Sequence, residues 1–268
     1  MTMNETSKLL TIEQLSKGFG GIKAVSELDF FVNQGDILGL IGPNGAGKTT
    51  VFNLITGVYK SDYGNIIYSG NNIVDWSPSK IVSSGIARTF QNLRLFKNLT
   101  VLDNVKIAFH SEANYNLVSA FFRGGNVRKS EKLILDKAMN LLKIVGLETL
   151  ASRNAGNLAY GVARKLEIAR ALALKPKIIL LDEPAAGMNP GEINELKELI
   201  HLVFEKFGLT IILVEHRMDL VMSICNRIVV LDFGRKIAEG LPWEIQQNEE
   251  VLKAYLGEEY RNVKNLKS

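Results

Sequence analysis

The sequence predicts an α/β fold: a parallel sheet covered by helices on both faces, with an antiparallel β part before it and a helical insertion within it. Three observations carry this. After Pro176, short and wholly apolar runs such as Ile178–Leu181 alternate with amphipathic stretches, the pattern of strands buried on both faces. Earlier, the apolar run Asp36–Ile41 leads through a glycine-rich turn straight into a helix-forming stretch. Between the two regions the spacing of apolar residues becomes helical.

Taken in order, LLTIEQLSK and ELDFFVNQGD read as two short strands, with β-formers at partial period two and Gly, Asn and Asp between them, which suggests an antiparallel start. DILGLI is the next strand, and KTTVFNLI the helix that stops at Gly57. Past GNIIYSG, residues 92–175 are expected to be mostly helical. There SEKLILDKAMNLLKIVG puts Ile134, Ala138, Leu141 and Val145 on one face, and RGGNVR before it reads as a linker. The last third gives strand KIILLD, helix GEINELKELIHLVFEKF, strand LTIILVE, a short helix through MDLVMSIC and strand RIVVLDFG.

Composition narrows the function classes. A chain of 268 residues with 46% hydrophobic and 22% charged residues can build a sizeable core and is not a disordered or fibrous chain. No apolar run approaches the ~18 residues of a membrane span, and MTMNETSKLLTIEQ lacks the apolar stretch of a secretory signal, so the chain is expected in the cytosol unless a partner carries it to a membrane. Lys and Arg number 32 against 28 Asp and Glu, a net charge of +4 scattered along the chain, which argues for no nucleic-acid partner. The lone Cys225, in apolar VMSICNRIVV, excludes an internal disulfide and any cysteine metal cluster, and reads as packing. No internal repeat is present, so the chain holds one unit.

Gly42-Pro43-Asn44-Gly45-Ala46-Gly47-Lys48-Thr49 matches the phosphate-binding loop pattern G-x-x-x-x-G-K-[ST], and it lies between a predicted strand and a predicted helix. The glycines let backbone N–H groups converge on phosphate oxygens, and the helix N-terminus adds positive potential. Lys48 supplies a point charge to the β- and γ-phosphates, while the Thr49 hydroxyl can ligate Mg²⁺ and Thr50 continues the cradle. The loop alone names no reaction. At Ile178–Glu183 four apolar residues bury a strand and two carboxylates emerge at its carboxyl end, where open α/β sheets bind ligands. There Asp182 would hold the Mg²⁺ shell and Glu183 would polarise the attacking water.

With these motifs in place the chain resembles an ATP-binding-cassette (ABC) transporter ATPase over nearly its whole length. Leu158-Ala159-Tyr160-Gly161-Val162, followed by ARKLEIARAL, resembles the family's signature loop and helix, lying shortly before the strand that ends in Asp182-Glu183. Gln91 in ARTFQNL is similar to the Q-loop glutamine, His216 in LVEHRMD to the switch histidine, and Phe19 in SKGFGG to the aromatic residue that stacks on adenine. Singly, each is an ordinary surface or core residue; their joint order gives them meaning. The resemblance implies ATP and Mg²⁺ as cofactors, Gln91 near the Mg²⁺ and coupled to a membrane partner, His216 on the γ-phosphate, and a signature loop (Ala159, Gly161) that reaches ATP held by an opposite subunit. The chain departs from the family pattern at Ala159, where the usual serine hydroxyl is missing, at Val162 for the usual Gln, and at Asn189 for the usual D-loop Asp.

The implied fold is a P-loop NTPase core over 1–91 and 176–240 with its antiparallel β part, a helical subdomain over 92–175 and a C-terminal helical tail over 241–268. FGGIKAVSELDF, LDEPAAGMNP and IAEGLPWEIQQNEEVLKAYLGEE are similar to the ATPase of branched-chain amino acid uptake systems, and urea and short-chain amide importers have closely similar ATPases. The implied partners are membrane permease subunits, a second ATPase subunit (the same chain or a related one) and, indirectly, a solute-binding protein, which places the chain peripherally on the cytoplasmic face of the cell membrane. Rival readings fare worse. DNA-repair and chromosome-organising ATPases need coiled-coil arms or zinc modules where this chain has neither sustained heptads nor a cysteine, and no guanine-reading N-K-x-D follows the P-loop. A nucleotide-binding regulator with weak hydrolysis draws support from Ala159 and Val162.

Overall fold

The computed structural model describes residues 8–109 and 124–256, with side chains from residue 130 onward in the second span. β1 (Lys8–Phe19) and β2 (Ile22–Asn33) form an antiparallel hairpin. At 12 residues each they are longer than the short strands predicted, because irregularities in register, with Gln14 and Glu27 at positive φ, interrupt the two-residue alternation without ending the pairing. β4 (Tyr63–Tyr68) pairs with β1, and β5 (Asn71–Asn72) completes a four-stranded sheet of order β2-β1-β4-β5.

The second sheet has six strands in the order β10-β9-β3-β8-β7-β6. Here β3 (Ile37–Ile41), β6 (Ile86–Arg88), β7 (Ile178–Asp182), β8 (Thr210–Val214) and β9 (Arg227–Asp232) run parallel, and β10 (Arg235–Gly240) is the antiparallel edge. The predicted parallel core is therefore present. Its strands are apolar throughout because each face meets a different core. Leu38, Leu40, Leu180, Ile212 and Val229 join the layer between the two sheets. Ile37, Ile41, Ile179, Leu181, Ile211 and Val230 join the layer under the helices.

α1 (Lys48–Ile55) lies in the inter-sheet layer through Val51, Phe52, Leu54 and Ile55. On the other face, α3 (Val101–Phe109), α4 (Gly124–Ile144) and α5 (Tyr160–Ala173) share one continuous apolar core with α6 (Pro190–Phe207) and α7 (Met218–Ile224). The helical stripe predicted in the insertion is buried at Ala138, Leu141 and Val145, with Ile134 packed beside it. The reading of RGGNVR as a linker is corrected, since α4 already begins at Gly124. Glycine costs little at a helix's first turn, where the amides have no intrahelical acceptor in any case. Short helices α2 (Pro78–Ser83) and α8 (Pro242–Gln247) complete the set, and residues 249–256 are helical, while the rest of the predicted tail lies outside the described residues. Cys225 is buried against Gly39 of β3, and burial pushes its thiol up to about 12, as expected of a packing residue.

The hairpin, the glycine-rich loop and the β9–β10 turn are tied together. Ser26 N–H donates to Gly234 O (2.9 Å), and Gly234 N–H to Ala46 O (3.0 Å). Gly47 sits at φ 101°, and a Cβ there would collide with the carbonyl oxygen of Ala24 on β2. Gly45 at φ 78° faces open space. Gly47→Ala should therefore lower unfolding stability by about 1–3 kcal/mol more than Gly45→Ala, since both bear the left-handed backbone strain but only one meets the hairpin. Urea unfolding of the two variants checks this, and equal losses would contradict the packing.

Candidate active site

Parallel strands end at the same sheet edge, and four of them deliver the motifs there. β3 runs into Gly42 and the loop, β7 ends at Asp182, β8 leads to Glu215 and His216, and β6 leads to Gln91. Gly47 caps α1 in a left-handed conformation, no side chain caps that helix, and its first turn holds no acidic residue, so its positive end is kept for an anion. Lys48 is buried, and its ammonium donates to the carbonyls of Gly42 (2.7 Å) and Pro43 (2.8 Å), lying back across the loop. Ala46 is buried, Thr50 half-buried, and Asn44, Gly45 and Thr49 are exposed along the rim.

Glu183 occupies φ 46°, a left-handed backbone that costs a non-glycine residue about 1–3 kcal/mol and persists where surrounding structure enforces it. Its N–H donates to Val214 O on the adjacent strand (2.8 Å). Both carboxylate oxygens are engaged: Gln91 Nε2 donates to Oε2 (2.8 Å), and His216 Nε2 donates to Oε1 (2.9 Å). With its amide nitrogen turned to Glu183, Gln91 presents its carbonyl oxygen the other way. The glutamine, glutamate and histidine picked out in the sequence therefore touch.

Asp182 is buried and accepts from Arg88 Nη2 on Oδ2 (2.7 Å). The same guanidinium donates to Asn53 Oδ1 (2.7 Å) and Thr56 Oγ1 (3.3 Å) of the α1 segment, and it lies by the rings of Phe52 and Phe90. Arg88 thus joins the carboxylate strand to the phosphate-loop helix. Glu215 is a second buried carboxylate. It accepts the N–H groups of Ala185 (2.7 Å), His216 (3.0 Å) and Arg217 (3.3 Å), binding the turn after Glu183 to the turn that carries His216. Burial raises its pKa, the three N–H donors oppose that rise, and the nearby Glu183 charge adds to it. Sequence reasoning passed over Arg88 and Glu215. Their signal was a charged residue flanking a wholly buried strand, which must have a partner.

The other predicted residues fall into two separate groups. Phe19, half exposed at the end of β1, packs edge-on against Tyr59 with ring centroids 5.1 Å apart, a partner the sequence did not suggest. Ala159 is the N-cap of α5 and makes no side-chain cap, while a Cβ on Gly161 would lie 2.9 Å from Glu192 Oε1 on α6. Asn189 has a structural use. Its side chain accepts the Glu192 N–H (3.0 Å) and Glu192 returns the bond to the Asn189 N–H (3.0 Å), a capping box that starts α6.

Fold and site together define a phosphate-loop nucleotide-binding protein of the ATP-binding-cassette class. Residues 25–186 match the ABC transporter family, and residues 235–261 match the family described as branched-chain amino acid ATP-binding cassette transporter. The chain belongs to the ABC transporter family. It is 44% identical over 250 residues to the high-affinity branched-chain amino acid transport ATP-binding protein BraF of Pseudomonas aeruginosa, covering 93% of this chain and 98% of that one. Its identity to LivG of Escherichia coli, of the same description, is 43% over the same shares. Among solved structures, the ADP conformation of an ATP-binding cassette of an ABC transporter superposes with TM-score 0.82 at 34% identity, covering 94% of this chain and all of that one. A nucleotide-free cassette gives 0.80 at 34% identity, covering 93% and 99%.

The Arg88–Asp182 pair is testable by itself. Removing one partner of a buried pair strands the other charge, so Arg88→Met should cost about 3–5 kcal/mol, and Asp182→Asn in the same chain should return part of it. Chemical denaturation of both variants reads this, and a loss below about 1 kcal/mol for Arg88→Met would contradict the pairing.

Proposed function

We propose that this protein is the ATP-hydrolysing subunit of an importer for branched-chain amino acids, working through permease subunits from the cytoplasmic side of the membrane. The observation that carries the hydrolytic reading is Glu183, held in a left-handed backbone with one oxygen on Gln91 and the other on His216. The transported class is supported by the names of the relatives and by the family match at residues 235–261. Among the described residues no helix is long and apolar enough to cross a membrane, which fits a subunit that docks on permeases.

In this reading the loop amides and Lys48 bind the polyphosphate, and the aromatic pair Phe19–Tyr59 receives the adenine. Glu183 orients a water and takes its proton as the water oxygen attacks the γ-phosphorus and the bond to the bridging oxygen breaks. His216 fixes the Glu183 carboxylate from one side and Gln91 from the other. The Thr49 hydroxyl, the Gln91 amide oxygen and Asp182 Oδ1 are hard oxygen donors suited to Mg²⁺, and no cluster of three or more His, Cys, Asp or Glu among the described residues offers an all-protein cage. That suits an ion shared with phosphates and water, whose chemistry when bound is to neutralise charge on the transferring phosphoryl group. A second ATPase subunit, identical or related, would present its signature turn to this ATP. Ala159 offers no hydroxyl there, leaving the backbone N–H groups at the start of the 14-residue α5.

Glu183→Gln should retain ATP affinity within about threefold while phosphate release falls by ~10²–10⁴. Calorimetry and steady-state phosphate release separate the two effects, and wild-type-like turnover would exclude Glu183 as the base. In vesicles holding the permease subunits it docks on, ATP-driven leucine uptake should depend on Glu183. Uptake of urea in place of leucine would reassign the substrate.

A further inference from the structure

The motifs account for the side chain of Gln91 but not for what holds its backbone. β6 ends at Arg88, the Thr89 N–H still donates to Leu180 O of β7 (2.9 Å), and residues 90–95 follow with no regular secondary structure and no ladder bond to fix them. Their anchor is α5. Arg164, fully buried, donates from Nη1 to Phe90 O (2.7 Å) and from Nη2 to Gln91 O (3.0 Å). Its Nη1 also pairs with Glu167 Oε2 (2.5 Å), and the other Glu167 oxygen accepts the Phe90 N–H (3.2 Å). One turn further on, Arg170 donates to Arg94 O.

The Arg164 guanidinium also reaches back one turn to the first residue of the helix. Arg164 Nη2 donates to the Tyr160 hydroxyl (2.9 Å), and Tyr160 stands between Ala159 and Gly161 in the signature turn. One buried ion pair thus grips three backbone atoms of Phe90 and Gln91 and one side chain of the signature turn. Burial raises the Glu167 carboxyl, so holding this pair ionised is costly, and buried pairs are poor sources of stability compared with apolar packing. What the pair supplies is geometry: a fork of planar donors that fixes two carbonyls at once.

We propose that Arg164 and Glu167 are positioning residues for hydrolysis, setting through the Phe90–Gln91 backbone where the Gln91 carboxamide stands against Glu183 and making that placement move with the signature turn. The inference rests on the roles given above to Gln91 and Glu183. It differs from a purely structural role in one respect: its effect on turnover must pass through Gln91.

The test is a double-mutant cycle on the purified full chain. Glu167→Gln and Arg164→Lys, each with and without Gln91→Ala, are measured for kcat by phosphate release and for ATP affinity by calorimetry. Each clamp variant should lower kcat about 10- to 100-fold, as a shift of order 1 Å does, with ATP affinity held within about twofold. In the Gln91→Ala background the same substitutions should lower kcat by less than about twofold. A full multiplicative loss in both backgrounds would overturn the inference and leave the reading of Gln91 standing. An unchanged kcat for Gln91→Ala alone would overturn both. Deuterium uptake gives an independent reading: in Glu167→Gln, a peptide over residues 89–95 should exchange faster while one over 42–50 does not change. Unchanged uptake over 89–95 would likewise overturn the inference.

Discussion

Parallel pairing of β6, β7, β8 and β3 is the constraint on which the rest of this molecule depends, because parallel neighbours must all end at the same edge. Leu180 pairs with Ile212 and Leu38 with the same residue, so the chain segments that leave these strands emerge side by side. Sequence separations of well over a hundred residues, between the glycine-rich loop and Asp182-Glu183, are erased at that edge. The cost is that every strand must be buried on both faces. The two apolar layers, one holding α1, α2 and the hairpin and the other holding α3 to α8, meet that requirement.

Burial on both faces leaves little room for polar groups, so those that remain are informative. Arg88 and Glu215 lie at or just past the edge, Arg164 and Glu167 reach the loop after β6 from α5, and each bonds segments from different elements. Water cannot relax such groups, and their partners are therefore specified narrowly. They form a scaffold beneath Glu183, whose unusual backbone is held by Val214 on one side and whose carboxylate is held by Gln91 and His216. Strain at Glu183 and dense buried bonding below it belong together: the second sustains the first.

Much of this was legible in the residues. Wholly apolar runs of four or five residues marked β3, β7 and β8, since helices of that length are not viable and the flanking Gly, Asp and Pro punctuate them. The glycine-rich loop declared itself because its residue types are demanded by backbone geometry. β6 and β10 were not legible. β6 has three residues, and β10, RKIAEG, is a polar edge strand with no alternation to read. The start of α4 was misplaced because two glycines look like a break, although a helix tolerates them in its first turn. In the site, Gln91, Glu183 and His216 could be picked out but not their mutual contacts, and Tyr59 beside Phe19 had no local signal because the pairing is purely tertiary.

If the sheet edge is what assembles the site, a single ligand should be felt at all four strand ends together. The direct measurement is hydrogen exchange on the full chain with and without Mg²⁺ and a non-hydrolysable ATP analogue. The account predicts slowed exchange at residues 42–49, 89–92, 182–185 and 214–217 at one common ligand concentration. Protection confined to 42–49, with the other three segments unchanged, would contradict it.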